Sequence, residues 1–412
     1  MDIRPPAPPP VSPDEAWRRI AVRVAPLPEE RVPRRRALGR VLARELLATV
    51  DTPASDVSAM DGYALGGELP AGVSRPVVAT VAAGDPPGLE LPAGTAARIM
   101  TGAPVPAGAD RVLPVEAAVG GGGSVELRPG EPPPAAGQHI RRRGEVTCAG
   151  DVLMAAGAPL TPGALALAAT HGHDDLPVHR IPAIAILTTG DEVVSAETLP
   201  GPGQLRDSHT DFLLAACATL GLVARPLGIA PDRRPELRAL VERGLQSEVL
   251  LLCGGVSMGE FDLVEGVLGE LGCSAHLTGV AIQPGQPLVF ASHPGGWVFG
   301  LPGNPASVMV GFWLFVRPAL RRLLGSPDAW WQGALAATLA GPLPAAARRD
   351  RFLAADVAVQ GGELLATPRL SKGSHDLSAY AGGSALVRVP AGAPARTAGE
   401  RCEVLPLADW RL

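Results

Sequence analysis

Lysine and asparagine are all but missing from this chain: Lys372 and Asn304 are the sole examples, although Lys and Arg together number 36. Basic charge is therefore carried by arginine, a bias typical of GC-rich coding, and a retained Lys or Asn says more than a lost one. The five cysteines (Cys148, Cys217, Cys253, Cys273, Cys402) are scattered, odd in number and form no C-x-x-C pair. That excludes a disulfide framework and a cysteine zinc site, and fits a reducing cytoplasm. The histidines show no H-x-x-x-H metal spacing. Positive charge is not in excess either; a formal net charge of -5 excludes a broad nucleic-acid surface and leaves room only for a local anion pocket. The start, MDIRPPAPPP, lacks an apolar export segment, and the Ala/Leu-rich run from Met154 to Thr170 is broken by Pro159 and Pro162, so no transmembrane helix is predicted.

Apolar residues are plentiful. They make up 46% of 412 positions against 19% charged, and the length calls for several domains, because single cores rarely grow past roughly 250 to 300 residues. Over 13–47 the apolar spacing is helical, with Ala16, Ile20 and Val24 on one face and a second run from Ala37 to Leu47, which predicts a pair of helices. From Thr49 to about Gly150, short runs (VVATVAAG, AARIMTG, DRVLPVE, SVELRPG) punctuated by Gly and Pro predict a small all-β module. Helical spacing returns over 150–175. The β module thus reads as an insertion, 49–147, in a helical segment made of 13–48 and 148–180.

Residues 181–326 alternate strand and helix: IPAIAIL, DFLLAACATLG with Gly221 as a stop, VARPLGIA, RRPELRALVERGL, EVLLLC, DLVEGVLGELG, the strands VAIQ, LVFAS and WVFGLP, then a helix from Asn304 to Leu324. Short strands alternating with helices of this length imply a mostly parallel sheet covered on both faces. The tail, 330–412, carries strand-like runs (FLAADVAV, ALVRVP, CEVLPL) and predicts another β module.

In such sheets anions are received at the carboxyl ends of the strands, where helix amino termini present free N–H groups. Three segments fall there. LTTGDE supplies Thr189, Gly190 and Glu192. CGGVSMGEFD supplies Gly254 and Gly255 for close backbone approach, the Ser257 hydroxyl and Asp262. GLPGNPASV supplies Pro302 and Gly303, Asn304 as a predicted N-cap, Pro305 at the first helical position and Ser307. One glycine turn is ordinary; three at one sheet edge point to a phosphate-bearing ligand. Asp191, Glu192, Asp207 and Asp262 would repel such a ligand unless a divalent cation such as Mg²⁺ joined them; the alternative is helix caps and solvated loop acids. Asp61 in ASDVSAMDGYAL and Thr101 in RIMTGAPVPAGADRVLPVE are small polar groups on glycine-rich loops, by spacing alone turns. The arginine cluster IRRRGE reads as a solvated basic patch, and His375 in RLSKGSHDLSAY as structural.

Taken together, SAMDGYA, RIMTGAPVP, IRRRGE, TTGDE, GGVSMGEFD, PGQP and GLPGNPAS, in this order, resemble the molybdopterin molybdenumtransferase MoeA family, which includes the catalytic domain of gephyrin. The resemblance covers the chain from about residue 13 to its end. It implies an α/β plus β multi-domain protein: a helical segment, an inserted small β domain, a mostly parallel three-layer α/β molybdopterin-binding domain and a C-terminal β barrel, paired as a homodimer with sites between subunits. The implied reaction takes adenylylated molybdopterin and molybdate with Mg²⁺ and releases AMP, with the molybdopterin adenylyltransferase as a partner. Carried over by motif, Asp61, Thr101, Glu192, Asp207 and Asp262 are catalytic, the last three metal-binding. Thr189, Gly190, Gly254, Gly255, Ser257, Pro302, Gly303, Asn304, Pro305 and Ser307 bind the pterin nucleotide, and Arg349 and Ser374 match an arginine and a serine associated with molybdate.

The departures are as informative. Where the family reads K-P-G-K-P, with lysines associated with molybdate, this chain has Gln283-Pro284-Gly285-Gln286-Pro287. Replacing lysines by neutral amides removes charge-assisted hydrogen bonds worth roughly 1.5 to 3 kcal/mol each. The family acid after R-R-G-E is Val146, and two family asparagines are Val57 and His209. Metal insertion therefore stands beside two other expectations: a protein that binds the pterin without inserting metal, or one that takes tungstate.

Overall fold

The computed structural model describes residues 9–121, 123–255 and 263–407; Ser257 and Asp262 lie outside them. Contacts divide the chain into two compact units, one of residues 32–38 and 44–176, the other of 1–31, 39–43 and 177–412.

The smaller unit is built on six strands in the spatial order Arg111–Pro114, Gly62–Leu65, Ala96–Ile99, Ser74–Val81, Ser124–Leu127 and Ala118–Gly121. Successive side chains alternate between its faces: Tyr63, Leu65 and Leu113 enter one cluster, Ala64, Ile99 and Val112 another. The short apolar runs of the β module are these strands.

The second predicted helix, from Ala37 to Leu47, does not form. Arg34–Arg36 make one 3₁₀ turn, Gly39 takes φ +76°, and Leu46–Leu47 pair with Val152–Met154. A left-handed glycine interrupts a helix however well the apolar residues are spaced. Within 150–175 the helix is confined to Pro162–Thr170, started by Thr161 Oγ1 accepting from Ala164 N.

In the larger unit, the central sheet runs Ala224–Ala230, Ile184–Thr189, Val249–Cys253, Gly296–Leu301, Val289–His293 and Ser274–Leu277. The first four strands are parallel, Val289–His293 runs antiparallel to them, and Ser274–Leu277 pairs antiparallel with Val289–His293. Both faces are covered. Ile184, Ile186, Val249 and Leu251 pack with Leu213 and Cys217 of helix His209–Ala218, while Ala185, Leu187, Leu250 and Leu252 pack with Leu237 and Val241 of helix Arg234–Gly244 and Val267 of helix Leu263–Glu270. A fully buried Leu or Ile contributes about 2 kcal/mol, so this three-layer sandwich is the rigid base on which the loops stand. Helix Pro13–Ala21, capped by Ser12, buries Ala16, Trp17 and Ile20 in the same core, so the start of the predicted helical segment belongs by packing to the larger unit.

The tail closes a five-stranded barrel from Leu335–Leu339, Asp350–Gln360, Glu363–Pro368, Ala385–Val389 and Arg401–Pro406, the long strand Asp350–Gln360 pairing on both sides. Its neighbour at one end is Ile282–Gln283, parallel to Asp350–Arg351. The VAIQ run, expected in the α/β sheet, thus leaves that sheet for the barrel. Among the described residues no helix is long and apolar enough to cross a membrane.

Candidate functional site

The loops at the carboxyl ends of the parallel strands line a cavity of about 620 Å³, to which Thr189, Gly190, Glu192, Gly254, Gly255, Pro302, Gly303, Asn304 and Ser307 all contribute. Glycine is required where the first two loops touch: Gly254 has φ +89°, and a Cβ there would lie 2.5 Å from the Thr189 carbonyl oxygen. Asn304 occupies the N-cap position of helix Pro305–Gly311, with Pro305 first in the helix, but its side chain makes no capping bond. Its carbonyl accepts from Ser307 N at 2.9 Å and Val308 N at 3.1 Å. The next free amide, Ala306 N, donates to the Ser374 carbonyl at 3.1 Å, which ties the tail loop to this helix start.

The acids divide. Glu192 lines the cavity, as does Asp232, which sequence patterning passed over. Burial first, and then the charges of Asp191 and Glu192, raise the Asp232 pKa above the usual carboxylate range despite a backbone hydrogen bond at Asp191. Asp207 is buried and serves a helix start: Oδ1 accepts from His209 N at 2.9 Å and Thr210 N at 3.2 Å, and Oδ2 from Thr210 Oγ1 at 2.6 Å. Among the described residues no group of three or more His, Cys, Asp or Glu side chains is placed to hold a metal ion.

Two polar groups of the wall have no hydrogen-bond partner among the described residues. His209 lines the cavity at 8% exposure with neither ring nitrogen hydrogen-bonded, and Thr189 Oγ1 is likewise buried without a partner. Burial lowers the His209 pKa more than the nearby Asp207 raises it. Buried polar atoms ordinarily have partners, so these atoms on the cavity wall are available to a ligand or to ordered water.

The facing wall comes from the Gln283–Pro287 loop and the barrel, through Arg349, Arg351, Ser371, Ser374 and Tyr380. Arg349 Nη1 donates to Gln286 Oε1 at 2.7 Å. Arg351 and Ser371 were not singled out from the sequence; the alternation in R-R-D-R-F, which sets Arg349 and Arg351 on one face and the buried Asp350 on the other, was the available signal.

In the smaller unit, Asp61 Oδ1 accepts from both Thr101 N and Thr101 Oγ1, each at 2.7 Å. These bonds, backbone first, lower the Asp61 pKa. Two residues 40 positions apart are thus one exposed constellation. The arginine cluster is solvent-exposed, as read from the sequence, and is also ion-paired: Arg142 pairs with Asp56, Arg143 pairs with Asp51, and Arg143 N donates to Asp56 at 2.9 Å. Val146 stands 72% exposed beside it.

Three family models match: the MoeA N-terminal region (domain I and II) over residues 11–172, a probable molybdopterin binding domain over 185–322, and the MoeA C-terminal region (domain IV) over 336–407. Molybdopterin molybdenumtransferase 2 of Mycobacterium tuberculosis is 34% identical over 388 residues, 91% of this chain and 94% of that protein. Molybdopterin molybdenumtransferase of Synechococcus elongatus is 41% identical over 308 residues, 72% of this chain and 75% of that protein. The crystal structure of a molybdopterin biosynthesis MoeA protein from Pyrococcus horikoshii superposes with a TM-score of 0.83 at 29% identity, covering 98% of this chain and all of that one. With the models spanning both units and the barrel, the chain belongs to the MoeA family of molybdopterin molybdenumtransferases.

Proposed function

We propose that this protein inserts molybdenum from molybdate into adenylylated molybdopterin in a Mg²⁺-dependent reaction that releases AMP. The observation that carries the reading is one cavity with two kinds of wall: glycine-rich strand ends bearing acids and unpaired buried donors, and a barrel edge bearing arginines. A pterin phosphate suits the first wall, where backbone N–H groups and the Thr189 and His209 side chains can bond it. Molybdate suits the second, where Arg349 and Ser374 both line the cavity and Ser374 is tied to the helix start through Ala306 N. Burial chiefly, and the neighbouring charges of Asp191 and Glu192 in smaller part, raise the Asp232 pKa; a divalent cation beside these acids would offset the like-charge part. Glu192 would hold Mg²⁺ together with Asp262 and Asp207, the latter already fixed by its three hydrogen bonds. Bound there, the ion would neutralise phosphate charge and polarise the pyrophosphate link. Asp61, kept ionised by Thr101, is the proposed proton acceptor of the smaller unit. The working form is a cytoplasmic homodimer with sites between subunits, supplied by the molybdopterin adenylyltransferase.

Incubation with adenylylated molybdopterin, Mg²⁺ and molybdate yields AMP and metallated pterin if the proposal holds. Gln283 and Gln286 favour a second reading, a binding protein; tight pterin binding without either product would establish it. Competition between molybdate and tungstate in the same assay identifies the anion.

A further inference from the structure

Gln283 and Gln286 leave the loop that faces the cavity without a cation, and the fold sets two cations against that same loop. Asp350, first in its strand, turns inward, where it pairs with Arg388 and accepts from Ala391 N at 2.9 Å, while its neighbours Arg349 and Arg351 line the cavity. Arg349 is held by the Gln286 carboxamide. Arg351 is the register partner of Gln283 in the parallel pairing of Ile282–Gln283 with Asp350–Arg351. Among the described residues neither guanidinium has a carboxylate within ion-pair distance, whereas other half-buried arginines of the barrel, Arg369 and Arg388, do. Two partly buried guanidiniums, Arg351 on the strand Asp350–Gln360 and Arg349 just before it, line one cavity without counter-ions among the described residues. That is the composition of a receptor for a tetrahedral dianion, which guanidinium groups bind through paired N–H donors.

We propose that Arg351 is the second cation of an oxyanion subsite, with Arg349 the first, and that it carries on the barrel strand the charge that Gln283 lacks on the loop. Gln286 acts as a positioning residue, its amide oxygen orienting Arg349 where a lysine, having no acceptor, could not. The inference rests on the cavity being the place where molybdate is received.

Equilibrium dialysis of the full-length protein against molybdate, without pterin, tests it. Arg351→Gln weakens molybdate binding by about ten- to a hundredfold, the range of a charge-assisted hydrogen bond, and Arg351→Lys recovers part of the loss. Arg351→Gln combined with Gln283→Lys moves the charge one strand over and restores binding. Thermal melts of each variant identify any that fails to fold, and Arg351→Lys then carries the test. Wild-type affinity in Arg351→Gln, or loss in Arg351→Gln that neither lysine variant repairs, overturns the proposal, as does a wild type that binds no oxyanion. Binding of inorganic phosphate with the same Arg351 dependence, but not of molybdate, supports the subsite while overturning the molybdenum reading.

Discussion

A buried imidazole with two unpaired nitrogens is costly to charge. In His209 burial outweighs the favourable charge of Asp207, so the folded-state pKa lies below the unfolded value. As pH falls through the ordinary imidazole range near ~6.5 the unfolded chain takes up protons first. The neutral ring therefore contributes stability above that range, and the contribution is lost on acidification. His209→Asn should lose less stability than wild type between about pH 7 and pH 5, a difference read from urea midpoints across the series. Asp61 makes a different demand, because it is exposed and its role is proposed to be chemical. Asp61→Asn should leave the melting temperature unchanged and lower turnover about a hundredfold, the scale of a lost general base; Thr101→Val, which keeps the backbone donor, should fall between. At this scale the sequence made Asp61, Thr101, Glu192 and Asn304 visible because each sits in a dense polar-glycine string. Asp232 and Arg351 sit in no such string, and only tertiary packing sets them on the cavity.

The elements show where periodicity suffices. Most strands of the small-unit sheet and the central sheet were legible, since buried strands are short apolar runs bounded by turn residues, whereas Gly62–Leu65, Ala118–Gly121 and Ser274–Leu277 were not; Gly221, at φ +70°, ends its helix as expected. Two runs deceived for physical reasons. The 37–47 run has helical spacing but a glycine in left-handed conformation, and VAIQ is a good strand whose partner lies on another sheet, which no local pattern encodes. The glycines of the strand ends carry a test of their own. Gly254→Ala meets both a forbidden φ and a backbone oxygen at 2.5 Å, and should cost about 1–3 kcal/mol in chemical denaturation along with pterin binding. Gly94→Ala, at φ +78° with nothing within 4 Å of the added carbon, should cost less and leave ligand binding alone.

Taken whole, the molecule presents its candidate groups in two compact units, with Asp61 and Thr101 in one and the cavity in the other. The proposed homodimer with sites between subunits makes a clear expectation: Asp61→Asn and Arg349→Gln chains, each nearly inactive alone, should regain a measurable share of turnover when co-expressed and purified as mixed dimers, and sedimentation should give the dimer mass. The multi-domain plan was readable because seven strings occur in order, but their assignment to units was not, since helix Pro13–Ala21 is far in sequence from the core it fills. The passage of Ile282–Gln283 onto the barrel sheet has a bearing on how such proteins can be recombined. Residues 283 and 351 are adjacent across a strand pair yet belong to segments that a domain exchange would separate. A barrel grafted from a lysine-loop relative would arrive without its counterpart, so the two positions must be inherited as a unit.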